Sequence, residues 1–282
     1  MHKAFRYRLE PTAEQEQKLR QFAGARRFIW TWALQQRREY YRQTGKTLPA
    51  KELLARLTAL KEQPETVWLR EMDSQLLQQV LADLARAFSN FFARRARYPR
   101  FKSKKRDTPR FRIPQRVKVV GNRVQVPKVG RVRLRLSQPL VGTTKSATFK
   151  QDARGQWHVT LVSDIDMPAV TLPMPKVEQT VGVDLGVTDI VVCSDGHREP
   201  APRFYRQGER TLRRAQRVHS RRQKGSRNRA KARARLAHVY QHVANQRRDF
   251  LHKLTTEMVT QHTAICTEDL SVKGLARTNC AV

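Results

Sequence analysis

Two stretches of this chain place a carboxylate where an apolar strand gives out. In TVGVDLGVTDIVVCSDG, residues 180–196, Val181, Val183 and Leu185 alternate with Gly182, Asp184 and Gly186. Side chains along a strand point to opposite faces in turn, so the apolar three face a core and Asp184 projects the other way. Its glycine neighbours leave room for a hydrated metal and a phosphate backbone to approach. The second stretch, HTAICTEDLSVKGLA at 262–276, runs from the apolar Ala264 and Ile265 into the acids Glu268 and Asp269. An acid at the end of a buried strand is where a metal ligand belongs. Each acid also has a plainer reading: Asp184 as a turn former or helix cap, Glu268 as the strand's exit into a loop.

Between the two acids lies a densely basic helical hairpin. Arg213, Arg214, Arg217, Arg221 and Arg222 precede the turn QKGSRN, and Arg227, Arg229, Lys231, Arg233 and Arg235 follow. The second helix carries Leu236, Val239, Tyr240, Val243, Phe250, Leu251, Leu254 and Met258 at helical spacing, which predicts one buried face. A charge run is usually a solvated face. Beside two carboxylates able to hold divalent cations, it reads better as the wall of a nucleic-acid channel.

The whole composition agrees. Among 282 residues, 57 Lys and Arg stand against 24 Asp and Glu, a net charge of +33. So large an excess repels itself unless a polyanion is bound. Arginine forks suit phosphate oxygens and base faces, and the basic segments alternate with globular-looking ones where a membrane-surface helix would carry a wide bulky apolar face, so nucleic acid is the expected partner and a membrane is not. With 39% hydrophobic residues a true core is expected. No run approaches about 18 apolar residues, so no membrane span is expected. The opening MHKAFRYRLE lacks the apolar run of a secretory signal. Cys193, Cys266 and Cys280 are too few and scattered for a disulfide scaffold or a zinc ribbon, which fits a reducing cytoplasm.

Residues 3–9 read as a strand with Phe5, Tyr7 and Leu9 on one face. Thr12 and Gln15 form a capping-box pattern, opening a helix whose stripe is Leu19, Phe22, Ile29, Trp30 and Ala33, with Arg26 and Arg27 outside it. Further helices are expected at 49–63 and 73–97; the set suits a helix-turn-helix reader or plain three-helix packing. In YPRFKSKKRDTPRFRIP, residues 98–114, Phe101 and Phe111 could stack bases while Lys102, Lys104, Lys105 and Arg106 track phosphates. Either aromatic could instead plug the loop into the core. From 115 to 165 short alternating strands, with turns at Gly121-Asn122 and Arg154-Gly155, predict a small antiparallel sheet or barrel. MPAVTLPMPK at 167–176 reads as a linker.

VGVDLGVTDIVVCSDG, the long helix through RRQKGSRNRAKARARLAHVYQHVANQRRDFLHKLTTEMV and TEDLSVKGLAR resemble the first two RuvC motifs of the TnpB/OrfB proteins of insertion sequences. LEPTAEQEQKLRQFAGARRFIWTWAL and PRFKSKKRDTPRFRIP resemble that family's N-terminal half, so the likeness covers essentially the whole chain. It implies a transposon-encoded RNA-guided DNA endonuclease related to the type V CRISPR effectors, with guide RNA and DNA as partners and Mg²⁺ or Mn²⁺ as cofactor. A nucleoid-associated place in a prokaryotic cytoplasm follows. The implied fold is α+β and multidomain. Residues 1–114 would be an N-terminal strand and helical, helix-turn-helix-like nucleic-acid-binding lobe, and 115–166 an antiparallel segment completing a small β-barrel with that strand. Residues 167–178 would be a linker and 179–282 a partial RNase H-like (RuvC) α/β nuclease domain carrying the basic hairpin.

The same likeness makes Asp184 and Glu268 the catalytic, metal-holding carboxylates. Hydrolysis by two ions about 4 Å apart needs such hard oxygen ligands. Nucleic acid would be held by Arg26, Arg27, Phe101, Lys102, Lys104, Lys105, Arg106, Arg213, Arg214, Arg217, Arg221, Arg222, Arg227, Arg229 and Lys231. The family continues into a four-cysteine zinc ribbon and a third catalytic Asp. This sequence has no CxxC pair and no third acidic strand, so the resemblance implies a C-terminally truncated copy with weak or no cleavage. A separately encoded C-terminal fragment would complete it; the alternatives are a nuclease-dead RNA-guided DNA-binding protein and a general basic RNA-binding protein.

Overall fold

In the computed structural model the chain forms two units, Met1–Pro168 and Ala169–Val282, with residues 1–166, 176, 179–186 and 188–269 described. The expected linker at 167–178 lies almost wholly outside the described residues.

The first unit opens with β1 (His2–Glu10), then α1 (Ala13–Thr44), α2 (Ala50–Leu60), a 3₁₀ stretch at Pro64–Glu71 and α3 (Ser74–Phe92). Six strands follow: β2 (Arg110–Ile113), β3 (Lys118–Val120), β4 (Arg123–Val126), β5 (Gly130–Arg135), β6 (Thr143–Gln151) and β7 (Trp157–Asp164). They form one seven-stranded sheet in the order β2-β6-β7-β1-β5-β4-β3, every neighbour antiparallel. The first strand is therefore the central one. Phe5 pairs with Leu161, Tyr7 with Val159 and Leu9 with Leu134, and all six are buried. Alternation with charged residues puts these apolar side chains on one face, as the pattern predicts.

The sheet is a curled half-barrel rather than a closed barrel, with β2 and β3 as its edges. Its β2 edge is covered by helix: Phe22 of α1 meets Phe111 edge-on at 5.4 Å, and Phe111 stacks on Phe149 of β6 at 4.8 Å. A covered edge has no need to close on another strand. The expected division at 114/115 is consequently no structural boundary. Helices and sheet share a single hydrophobic core.

The Thr12–Gln15 capping box forms with both of its hydrogen bonds, and α1 ends at Gly45 in the left-handed conformation. The third helix stops at Phe92, short of the expected 97. Arg94 there adopts a left-handed φ of 57°, which turns the chain out of the helix.

The second unit comprises β8 (Thr180–Asp184), β9 (Asp189–Cys193), β10 (Arg198–Pro200), α4 (Phe204–Arg221), α5 (Arg227–Gln261) and β11 (Ala264–Thr267). The sheet order is β10-β9-β8-β11: three strands joined by hairpins, then β11 parallel to β8 after a helical crossover. Val181, Val183, Val191 and Cys193 on the sheet pack against Leu254 and Met258 of α5. The apolar stripe of α5 is only partly buried, with Tyr240 and Leu251 exposed. The helix is about 50 Å long at 1.5 Å per residue, far longer than the sheet it covers.

Candidate functional site

The register between β8 and β11 decides where the two acids stand. Ala264 pairs with Thr180, Ile265 with Val181, Cys266 with Gly182 and Thr267 with Val183. One step beyond the last rung are Asp184, the final residue of β8, and Glu268, the first residue past β11. Neighbouring strands lie about 4.8 Å apart, so the two carboxylates leave the sheet side by side. They also share a face. Val181 and Val183 point into the core and Ile265 packs against it, so Asp184 and Glu268 project from the opposite face, where both are exposed. Asp269 follows Glu268 and is exposed too. Among the described residues no group of three or more His, Cys, Asp or Glu side chains gathers to hold a metal ion.

The neighbours of Asp184 differ in part from the sequence expectation. Leu185 is 52% exposed, not a core residue, because the strand ends at Asp184 and the chain is already turning. Gly186 makes that turn possible: a Cβ there would stand 2.6 Å from the carbonyl oxygen of Asp189, the first residue of β9. Gly182 donates its N–H to the Ser194 hydroxyl at 3.0 Å, and a Cβ at 182 would meet Ser194 only at ordinary contact distance. Of the two glycines, Gly186 is the one that sets the loop's path.

The basic hairpin is built by α4 and α5 running antiparallel. Gly208 lies so close to Val243 that a Cβ would come within 2.9 Å of it, and Gln216 donates to the Tyr240 hydroxyl at 2.7 Å. Two of the expected nucleic-acid contacts have structural work. Arg213 pairs with Glu209 at 2.7 Å, and Arg229 donates to the Arg222 carbonyl at 2.6 Å, capping the end of α4. Arg214, Arg217, Arg221, Arg222, Arg227 and Lys231 are exposed, with no carboxylate partner among the described residues. They do not surround the acid pair. The sheet is packed by the Leu254–Met258 end of α5, and Lys231 lies about 35 Å back along the helix.

In the first unit, the loop after α3 is clamped onto α1. Trp30 donates its indole N–H to the Arg100 carbonyl at 2.9 Å. Asp107 holds Arg100 at 2.9 Å and Lys102 at 3.6 Å and accepts the Ser103 N–H at 2.7 Å. Burial alone would raise the Asp107 carboxyl, but the Ser103 amide, Lys102 and Arg100 outweigh it and hold the group below its usual value. Lys102 and Arg26 sit over the Trp30 ring at 5.1 and 5.9 Å, and burial lowers the pKa of both. Arg27 is half-buried. This leaves Lys104, Lys105 and Arg106 at the loop's tip, all exposed and with no carboxylate partner among the described residues. Phe101 is 41% exposed beneath the Arg38 guanidinium at 4.7 Å, whereas Phe111 is completely buried and cannot stack on a base. Asp107, which organises the loop, was not singled out by the sequence pattern; its one signal is an isolated acid within a run of cations.

No helix among the described residues is long and apolar enough to cross a membrane. Residues 158–279 match the family described as "Probable transposase", and residues 1–46 a "Helix-turn-helix domain". A protein of Escherichia coli (strain K12) named "Putative RNA-guided DNA endonuclease InsQ" is 36% identical over 276 residues, covering 97% of this chain and 67% of its own length. A "Putative RNA-guided DNA endonuclease" of Streptomyces pristinaespiralis is 34% identical, over 98% of this chain and 68% of its own. The chain thus spans about two thirds of the relatives it matches. A solved chain from a Cas12f1–sgRNA–target DNA complex aligns over 98% of this chain and 75% of its own, at a TM-score of 0.36 and 11% identity.

Proposed function

This chain belongs to the TnpB/OrfB family of insertion-sequence proteins, and from that premise we propose that it binds a guide RNA and DNA and serves as a transposon-associated, metal-dependent nuclease. The observation that carries the reading is the parallel register of β8 and β11, with Asp184 and Glu268 at adjacent strand ends on one exposed face. The order β10-β9-β8-β11, with the parallel strand arriving after the helices, supports an RNase H-like reading of the second unit.

The donor set fits the cofactor. Two exposed carboxylates are hard oxygen ligands, leaving further positions to water, which suits Mg²⁺ or Mn²⁺. A divalent ion held there supplies an activated water and offsets charge on the leaving oxygen during phosphodiester hydrolysis. Asp184 and Glu268 are its ligands in this proposal, and the strands that carry them are anchored by Val183, buried in the core, and by Ile265, packed against it. Lys104, Lys105 and Arg106 on the loop, and Arg214, Arg217, Arg221, Arg222, Arg227 and Lys231 on the hairpin, grip phosphates without reading bases. Sequence choice then falls to pairing between guide and target.

The test compares the chain with Asp184→Asn and Glu268→Gln, assembled on guide RNA and given matched DNA with Mg²⁺ or Mn²⁺. Either substitution is expected to reduce cleavage at least a hundredfold and weaken Mn²⁺ binding, leaving RNA affinity within twofold. Cleavage by Asp184→Asn at the parent rate would remove the acid pair from the chemistry. No cleavage by the parent, with target DNA still bound, would make the protein a guided binder without nuclease activity.

A further inference from the structure

One surface of the first unit joins exposed aromatic rings to unpaired arginines, and neither the loop tip nor the acid pair includes it. Where the end of α1 passes the end of α3, a cavity of about 380 Å³ opens. That is within the roughly 300–1,000 Å³ of sites that hold small ligands. Its walls are rings: Phe92 is 69% exposed, Tyr41 62% and Tyr98 41%. Tyr98 is held by edge-on contacts with Phe88 at 5.5 Å and Phe91 at 5.2 Å, and Phe92 tilts against Phe91 at 5.4 Å. Single exposed apolar residues are ordinary, but a contiguous aromatic cluster around a cavity marks a binding site.

The rim is cationic. The Arg37 guanidinium lies over the Phe88 ring at 5.0 Å and that of Arg38 over Tyr98 at 5.2 Å. Arg42 joins them at the rim. None of the three has a carboxylate partner among the described residues, although the chain makes such pairs elsewhere. The Nε of Arg37 is buried without a hydrogen-bond partner in the structure. An anion would complete this rim, and a flat ring would complete the walls.

We infer that this cavity holds one unstacked nucleotide of a single-stranded nucleic acid, its base against Tyr98 and Phe92 and its phosphate on Arg38 and Arg42. The inference rests on the nucleic-acid reading above and adds a place to it. A base paired within a duplex presents only its edges, so the site selects unpaired strands; a base laid on an aromatic ring contributes affinity whatever its identity.

The experiment measures binding of the full chain, at fixed salt, to a 12-nucleotide single-stranded RNA, to single-stranded DNA of the same sequence, and to duplex RNA. Tyr98→Leu and Phe92→Leu are expected to weaken single-strand binding about tenfold each and to leave duplex binding unchanged. Tyr98→Phe keeps a ring and retains the affinity. With 4-thiouridine in the RNA, photocrosslinks are expected on Tyr41, Phe92 or Tyr98. Loss in the RNA arm alone assigns the pocket to RNA; loss in both single-stranded arms assigns it to any unpaired strand. Single-strand affinities unchanged by the Leu variants, or duplex affinity falling equally, would overturn the inference. So would self-association of the chain that Phe92→Leu abolishes while strand affinity stays the same, which would give the patch to a second copy. If the unsubstituted chain bound none of the three, the nucleic-acid reading itself would fall.

Discussion

Phe111→Ala separates the two roles that an aromatic in the basic loop region can have. The ring is wholly buried, stacked on Phe149 at 4.8 Å, edge-on to Phe22 at 5.4 Å and 6.1 Å from Trp157. Truncating a buried Phe costs about 3–5 kcal/mol, and aromatic pairs add about 0.5–1.5 kcal/mol beyond the area they bury. With three such partners the expected loss is near the top of the range, about 4–5 kcal/mol. For a domain of this size, where 1 kcal/mol moves Tm by about 2–4 °C, that is a fall of about 8–20 °C. Phe101 is partly exposed and has mainly the Arg38 cation above it, so Phe101→Ala is expected to cost under about 1 kcal/mol. The assay is tryptophan fluorescence during thermal or urea unfolding. All four tryptophans, Trp30, Trp32, Trp68 and Trp157, lie in the first unit, so the signal reports that unit alone. RNA affinity, measured where both variants remain folded, should fall for Phe101→Ala and hold for Phe111→Ala. A Phe111→Ala protein as stable as its parent, or one that stays folded and loses RNA, would refute the assignment of this ring as the bolt between helices and sheet.

Gly186→Ala forces a Cβ to within 2.6 Å of a backbone oxygen at the start of β9, so the loop must move. Cleavage and Mn²⁺ affinity are expected to drop at least tenfold with RNA affinity retained; parental cleavage would show that the loop tolerates the shift. Burial, reinforced by Arg6, lowers the pKa of His158 below its ordinary 6.5, so the folded first unit favours the neutral ring. The unfolded chain then takes up the proton first as pH falls, and the stability present above about 6.5 is lost below it. Unfolding midpoints of the first unit between pH 7.5 and 5 should fall accordingly, and should flatten in His158→Gln; equal pH dependence in the two proteins would exclude this group. Replacing Lys104, Lys105 and Arg106 together by Ala should reduce the slope of log K against log salt for single-stranded RNA by about 2, at roughly 0.7 per phosphate contact. An unchanged slope would take these three residues off the phosphates.

What the sequence revealed was local. The alternation in β1, the Thr12–Gln15 cap and the strand–turn–strand reading from 180 to 200 each depend on residues within a few positions, and each appears in the structure. Long-range choices stayed open. Arg110–Ile113 alternates as a strand should, but at four residues between Pro109 and Pro114 it is too short to outweigh the basic loop before it. Only the pairing with β6 buries Phe111 and spares Phe101. Leu185 fits the period of its strand and still falls outside it, because the contact at Gly186 is made with a residue beyond the turn. Tyr240 and Leu251 keep the helical spacing of a buried stripe and are exposed, since the spacing says which face is apolar and not how much partner there is to cover it. Tyr41, Phe92 and Tyr98 carry no shared motif; two helices and a loop must fold before they meet.

The acid pair depends on the same kind of long-range choice, and the topology makes it a sharp one. Asp184 and Glu268 are separated by two hairpin strands and the whole of α4 and α5, yet their relation is set by a single register. Because side chains alternate with a period of two, sliding β11 by one residue would turn Ile265 out of the core and Glu268 into it. Leu254 and Met258 of α5 oppose that slip, since they pack on the face that Ile265 shares with Val181 and Val183. The helix that carries arginines at its far end therefore aligns the carboxylates with its near end. If the proposed roles hold, phosphate contacts and metal ligands belong to opposite ends of α5, about 35 Å apart, so changing charge at the hairpin tip is expected to leave the acids undisturbed.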